Sequence, residues 1–239
     1  MWVFVLLPIL TALFGIGGFW AVFAVSVVNG SVNLTKGMPY ISDSAGYPPQ
    51  SCIFAQTFVV IALIRFKQAA DFGYKGKANV VGFWLAFVSC LGLSITGNFQ
   101  GPVIFELHFF GAFVAFILGL PYFWIQLYLT YRVEPSVDRA WLGPLRGILC
   151  VLSSLSLLGS ILSFCVSKAP LAPPVCICNI EYESEGAICE WIAVNTLFGM
   201  FGLFAAEFRH IDSCKLTVQK TALKTDGCPS SVEINSHAV

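Results

Sequence analysis

Apolar residues in this chain come in long unbroken runs, not at the spacing of a helix or strand with one face in water. Six stretches contain no Asp, Glu, Lys, Arg or His: Trp2 to Val28, Ser51 to Ile64, Ala78 to Gly97, Phe109 to Tyr131, Gly147 to Ser167 and Trp191 to Ala206. A membrane helix needs about 20 mostly apolar residues to cross a hydrocarbon core of roughly 30 Å. Five stretches reach that length, or nearly so once their uncharged flanks are added. The pattern predicts an all-α integral membrane protein: a six-span helical bundle with both termini in the cytosol and an unusually short second span. Residues 1–208 form the transmembrane domain, and residues 209–239 a polar tail without periodicity, expected to be disordered and cytosolic.

The second stretch holds 14 residues, roughly 21 Å of helix. Pro48 and Pro49 oppose its extension backwards, and Arg65 follows it at once. The basic residues argue that it crosses. Lys36 stands in the first loop; Arg65, Lys67, Lys75 and Lys77 in the second; Arg132, Arg139 and Arg146 in the fourth; Lys168 in the fifth; and Arg209, Lys215, Lys220 and Lys224 in the tail. Alternate segments thus carry 11 of the 13 basic residues, which places loops two and four and the tail in the cytosol. Without the second crossing the later loops would take the wrong sign. Arg65 and Lys67 would then snorkel, with local thinning of the bilayer. Two glycosylation sequons, at Asn29 and Asn33, both fall in the first loop, on the predicted outer side. Asn29 abuts the first span, so Asn33 is the better acceptor.

Composition narrows the function classes. The chain is 57% hydrophobic and 11% charged, with mean hydropathy +0.79, whereas soluble domains carry about a quarter charged residues. Disorder is ruled out for the chain as a whole, and a soluble enzyme is disfavoured. Net charge is zero, so no bulk field draws nucleic acid. The charge-free spans disfavour proton relays and voltage sensors. Glu106, His108, Glu190 and Glu207 stand at span edges and read as solvated side chains at headgroup level. No metal-ligand or nucleophile motif is present, and no cofactor is expected. Cys52, Cys176, Cys178 and Cys189 face the oxidising side as disulfide candidates, but four cysteines allow three pairings and the sequence does not choose. Loop five, with Pro170, Pro173, Pro174, Glu181, Glu183 and Glu185, reads as irregular and acidic.

Within the spans, small residues mark close approach, because lipid removes the hydrophobic drive for association. Gly111, Ala115 and Gly119 form one stripe, as do Gly82, Ala86 and Cys90. Ser153, Ser156, Ser160 and Ser163 share a face of span five, which reads as a packing seam or as a polar groove for a lipid headgroup. Trp84, Trp124, Trp141 and Trp191, with Tyr122, Tyr128 and Tyr131, fall towards span ends like an aromatic belt.

The segments between spans are distinctive. They run Pro39-Tyr40-Ile41-Ser42-Asp43, then Pro48-Pro49-Gln50-Ser51-Cys52-Ile53-Phe54, then Gly97-Asn98-Phe99-Gln100 and Cys189-Glu190-Trp191, in that order. In this combination the chain resembles the DRAM family of damage-regulated autophagy modulators, in its transmembrane protein 150 branch, over nearly its whole length to about Cys214. It departs from that branch in its short second span and in the Pro-rich insertion at Ala169 to Glu185. The resemblance implies six spans and a non-enzymatic role in autophagy and cell survival. It also implies residence in plasma membrane and in endosomal, lysosomal or autophagosomal membranes. Membrane lipids are the expected partners, together with membrane or cytosolic proteins. The alternative, drawn from another branch, is an ion channel or channel accessory subunit for mechanically activated currents. Pro39, Tyr40, Pro48, Pro49, Cys52, Asn98, Phe99, Gln100, Glu190 and Trp191 all fall on or near the outer face, where one lumenal cap is expected above the bundle.

Overall fold

The computed structural model describes residues 3–54, 77–132, 138–168 and 176–209. Among them every regular element is helical. Helix α1 spans Val3–Val28; a 3-10 turn, Leu34–Lys36, and the short α2, Ile41–Ser44, follow in the first loop. The long helices α3, Lys77–Asn98, α4, Phe105–Arg132, α5, Arg139–Lys168, and α6, Cys176–Phe208, complete the order. Five helices are long and apolar enough to cross a membrane, so the chain is a multi-pass helical membrane protein. Most of the second predicted span lies outside the described residues, as do the basic loop after it and the tail beyond Arg209.

The helices pack in the order α3, α4, α5, α6, α1. Among the described residues, helix α6 supplies the largest share of the core. Trp191, Val194, Phe198, Phe201, Phe204 and Phe208 are all buried and recur every three or four residues, one face of a helix. Rings from its neighbours meet this face: Phe19 of α1 lies 5.3 Å from Phe198, and Phe123 of α4 lies 4.7 Å from Phe201, edge to face. Hydrophobicity cannot orient a helix in lipid, so such ring packing does.

Backbones come closest between α3 and α4. Gly111, Ala115 and Gly119 are buried facing α3, which presents Gly82, Ala86, Ser89, Gly92 and Thr96. The Ser89 hydroxyl donates to the Ala115 carbonyl at 2.8 Å, a bond that only small neighbouring side chains allow. By contrast α4 and α5 touch much less than α3 and α4, or α5 and α6.

Three expectations need correction. Loop five is not irregular throughout: α6 already begins at Cys176, because residues 175–208 hold no proline and glutamate is a good helix former. Trp191 is not a belt residue. It is 4% exposed, while Trp84, Trp124 and Trp141 are exposed as a belt requires. And the edge acids are not uniformly solvated. Glu106 is exposed, but His108 is buried, Glu190 accepts a loop hydrogen bond and Glu207 is bound in an ion pair.

That ion pair closes the end of the bundle away from the first loop. Arg146 of α5, 3% exposed, donates from Nη1 and Nη2 to the two Glu207 oxygens at 2.7 and 2.9 Å. Nη1 also donates to Thr130 Oγ1 of α4 at 2.6 Å, and the guanidinium sits 4.7 Å from the Phe204 ring centre. Such a fork satisfies charge and shape together. Beside it Asp138 pairs with Arg209 and accepts from Trp141 Nε1.

Candidate functional site

The predicted cap residues cluster at the end of the bundle that carries the first loop. Trp191 Nε1 donates to the Pro39 carbonyl at 3.0 Å, and the Glu190 carboxyl accepts the Ile41 amide at 2.9 Å. Adjacent residues of α6 therefore hold the loop on both sides of Tyr40. The Trp191 ring is wedged against Trp20 and Phe23 of α1, at 4.8 and 5.5 Å between centres. Farther along, Ser184 Oγ accepts the Met38 amide at 3.0 Å. Gly37 permits this approach: its φ is +108°, and a Cβ there would lie 2.9 Å from Ser184, so a side chain is excluded twice over.

The remaining cap candidates lie beside this anchor. Pro48 and Pro49 turn the chain into a helical segment at residues 50–54, where Cys52 is exposed. Gln50 is fully buried and donates from Nε2 to Ser31 Oγ at 3.0 Å. Asn98 bonds within its own helix, Nδ2 to the Ser94 carbonyl at 2.8 Å, and the Gln100 carbonyl accepts the amides of Val103 and Ile104. Phe99 presents its carbonyl to His108 Nδ1 at 2.7 Å, and Thr96 does the same at 3.1 Å. Both partners are acceptors, so Nδ1 carries the hydrogen, and in the neutral ring Nε2 is left as an acceptor. Gly46 abuts Pro102, where a Cβ would come within 3.0 Å, and this contact joins the two groups.

Between them lies a slot of about 430 Å³, bounded by the first loop, α4, α5 and Glu190. A pocket of about 60 Å³ behind it shares Ser42, His108, Ala112, Phe116 and Glu190 as lining. The larger slot falls in the range of small-molecule sites. The sequence named Glu190, Tyr40 and Ser160, which line it, and placed Asp43 in the first-loop motif; His108, which it read only as a solvated residue at a span edge, lines the slot as well.

Elsewhere, Asn29 and Asn33 are exposed, and Asn33 Oδ1 accepts from both the amide and hydroxyl of Thr35. Cys52 and Cys189 are free thiols, and the side chains of Cys176 and Cys178 lie outside those described. Ser153, Ser156 and Ser160 are buried, and Ser153 bonds Thr196 of α6 at 2.6 Å. Among the described residues no three His, Cys, Asp or Glu side chains gather as a metal cluster would require.

Residues 3–211 match the family described as Frag1/DRAM/Sfk1/Cwh43P N-terminal domain. The chain is 46% identical to "Modulator of macroautophagy TMEM150B" of Danio rerio, covering 94% of each chain. It is 38% identical to the Homo sapiens protein of that name, over 92% of each. "Transmembrane protein 150A" of Xenopus laevis is 29% identical over 95% of this chain and 92% of its own. No solved structure matches.

Proposed function

The chain belongs to the Frag1/DRAM/Sfk1/Cwh43P family, and we propose that it modulates macroautophagy from within the membrane, without catalysis, by organising lipids or protein partners. The observation that carries this reading is near full-length similarity to relatives named modulators of macroautophagy. The geometry favours a non-catalytic mode. At the loop end, side chains such as Trp191, Glu190 and Ser184 are spent on holding backbone groups of the loop, not on a shared reactive point. The larger of the two openings at this end is a mostly apolar slot.

The same reading places six spans in the bilayer with both termini cytosolic, since 11 of 13 basic residues fall in alternate segments. It assigns the protein to plasma membrane and endosomal, lysosomal or autophagosomal membranes. The first loop forms a lumenal cap. The test is autophagic flux in cells lacking the protein, measured with lysosomal degradation blocked and unblocked. Flux should fall on removal and return with the wild-type chain; unchanged flux overturns the proposal. Reconstitution in liposomes separates the channel alternative, for which ion flux above that of empty vesicles is required.

A further inference from the structure

The slot between α4 and α5 changes chemistry along its length. At the loop end Tyr40, Ser42, Asp43, His108 and Glu190 line it; deeper, its walls are Phe113 and Ile117 of α4 with Leu157 and Ile161 of α5, broken by Ser160. Phe105 to Ile117 measures about 18 Å along the helix axis. Phe109, Phe113 and Ile161 line the slot and are also exposed, so it opens sideways, where lipid would lie. This is the shape of an amphiphile with its head at the loop.

Size limits that occupant. An apolar cavity of about 150 Å³ is filled by benzene. A slot of about 430 Å³ takes roughly three such volumes, on the order of 18 carbon atoms. That is one chain or one small fused-ring body, not the two chains of a bilayer phospholipid. The lining also holds no Lys or Arg, the residues that usually grip a phosphate.

The rim suits a hydroxyl whatever protons it carries. A hydroxyl donates to a carboxylate or to a bare imidazole nitrogen, and accepts from a carboxylic acid or an imidazole N–H. Glu190 and His108 are therefore compatible with it in either of their states, and Ser42 lines the same rim. The walls decide between a flexible chain and a rigid body. Near the rim they are rings: Phe105, Phe109 and Phe164 stack with centres 5.7 to 6.4 Å apart and planes within 23°. The Tyr40 ring stands edge-on to Phe164 at 6.5 Å. A rigid, flat body packs against such rings without losing internal freedom, whereas every rotor ordered in a straight chain costs affinity.

We propose that this slot binds a sterol, entering sideways from the bilayer. Its hydroxyl lies at the rim of Ser42, His108 and Glu190, its fused rings fill the slot against the phenylalanine stack, and its tail runs on towards the lipid. This deepens the lipid reading proposed above and rests on it.

The test uses the full chain in neutral maltoside micelles, irradiated with a diazirine-bearing cholesterol. Adducts should concentrate on residues 105–117 and 157–165, and cholesterol should compete. Cholesteryl methyl ether, which lacks the donor, should need about tenfold more. Monooleoylglycerol and cholesterol sulfate should compete no better than the ether. Glu190→Gln keeps a carbonyl for the Ile41 amide and can still bond a hydroxyl, so it should hold competition within about threefold of wild type. Ile161→Trp fills the slot from an exposed position and should lose most labelling at the wild-type melting temperature. Ile148→Trp, also exposed on α5 but outside the slot, should label normally. Labelling spread evenly over all helices, or unchanged in folded Ile161→Trp, would overturn the site. Monooleoylglycerol or the ether matching cholesterol would overturn the sterol and its hydroxyl. Cholesterol sulfate matching it, or a loss of about tenfold in folded Glu190→Gln, would overturn the uncharged head. Such a failure beside a normal loss of flux on removal leaves the autophagy reading standing; intact binding with unchanged flux does the reverse.

Discussion

A Cβ built on Gly92 would lie 2.6 Å from the Ala115 amide nitrogen, and one on Gly111 would lie 2.8 Å from the Thr96 amide nitrogen. These obstacles are backbone atoms, which cannot swing aside as a side-chain tip can. Gly92→Ala and Gly111→Ala should therefore force α3 and α4 apart, at about 1–3 kcal/mol each. Phe113→Leu, at a half-exposed position, should cost much less. Thermal unfolding in maltoside ranks the three. A wild-type melting temperature for both glycine variants would mean that the contact is not close in the folded protein. Trp191 makes a second single-residue case, since its ring packing and its bond to Pro39 can be separated. Trp191→Phe keeps one aromatic ring and loses the donor, about 0.5–1.5 kcal/mol, together with part of the indole's packing. Trp191→Ala also empties the space between α1 and α6, about 3–5 kcal/mol. Equal losses from the two would refute that division.

Between elements, the Arg146 fork joins α4, α5 and α6 at one point. Arg146→Met strands Glu207 beside Thr130, and losing one partner of a buried pair costs about 3–5 kcal/mol. The double variant Arg146→Met, Glu207→Leu leaves no orphan charge. It should lose clearly less than the two single variants together, because contacting residues couple. Strict additivity in a double-mutant cycle would sink the fork as an energetic unit. This pair also shows where sequence reading runs out. The helices themselves were legible, because uninterrupted apolar runs have few alternatives in a bilayer, and the Gly111, Ala115 and Gly119 stripe was legible because small residues at i and i+4 stand out among Phe and Leu. Arg146 and Glu207 lie 61 positions apart, and only the register of α5 against α6 brings them together. Trp191 was misread for a related reason: in lipid the core side and the lipid side of a helix are equally apolar, so position along the chain suggested a belt where packing made a core. Gly92 escaped notice because it lies off the Gly82, Ala86, Cys90 row, yet with Ser89 and Thr96 it continues the face on which Gly82 touches α4. Of the slot, the sequence held Ser160 of α5 and residues of the loop. It did not hold the splay between α4 and α5 that opens the space.

For the molecule as a whole, sidedness decides which surface meets the lumen, and the first loop offers a direct measurement. Asn29 follows α1 without a gap, its amide still bonded to the Val25 carbonyl at 2.9 Å, so it should stay at the membrane surface, too close for modification. Asn33 lies beyond that turn, exposed, at the start of a 3-10 turn whose Thr35 hydroxyl donates to its Oδ1 at 2.8 Å. The loop that carries it is tied to α6 at Met38 and Ile41, a few residues beyond the exposed acceptor. With the basic residues concentrated in alternate segments, this loop should face the lumen and carry its glycan on Asn33. Endoglycosidase treatment should shift the mobility of the wild type and of Asn29→Gln, while Asn33→Gln and Thr35→Ala should migrate as the deglycosylated chain. A sequon engineered beside Lys75 should stay unmodified, because that loop lies on the opposite side if the short second span crosses. A glycan there, with Asn33 unmodified, would invert the molecule and place the cap and the slot mouth in the cytosol.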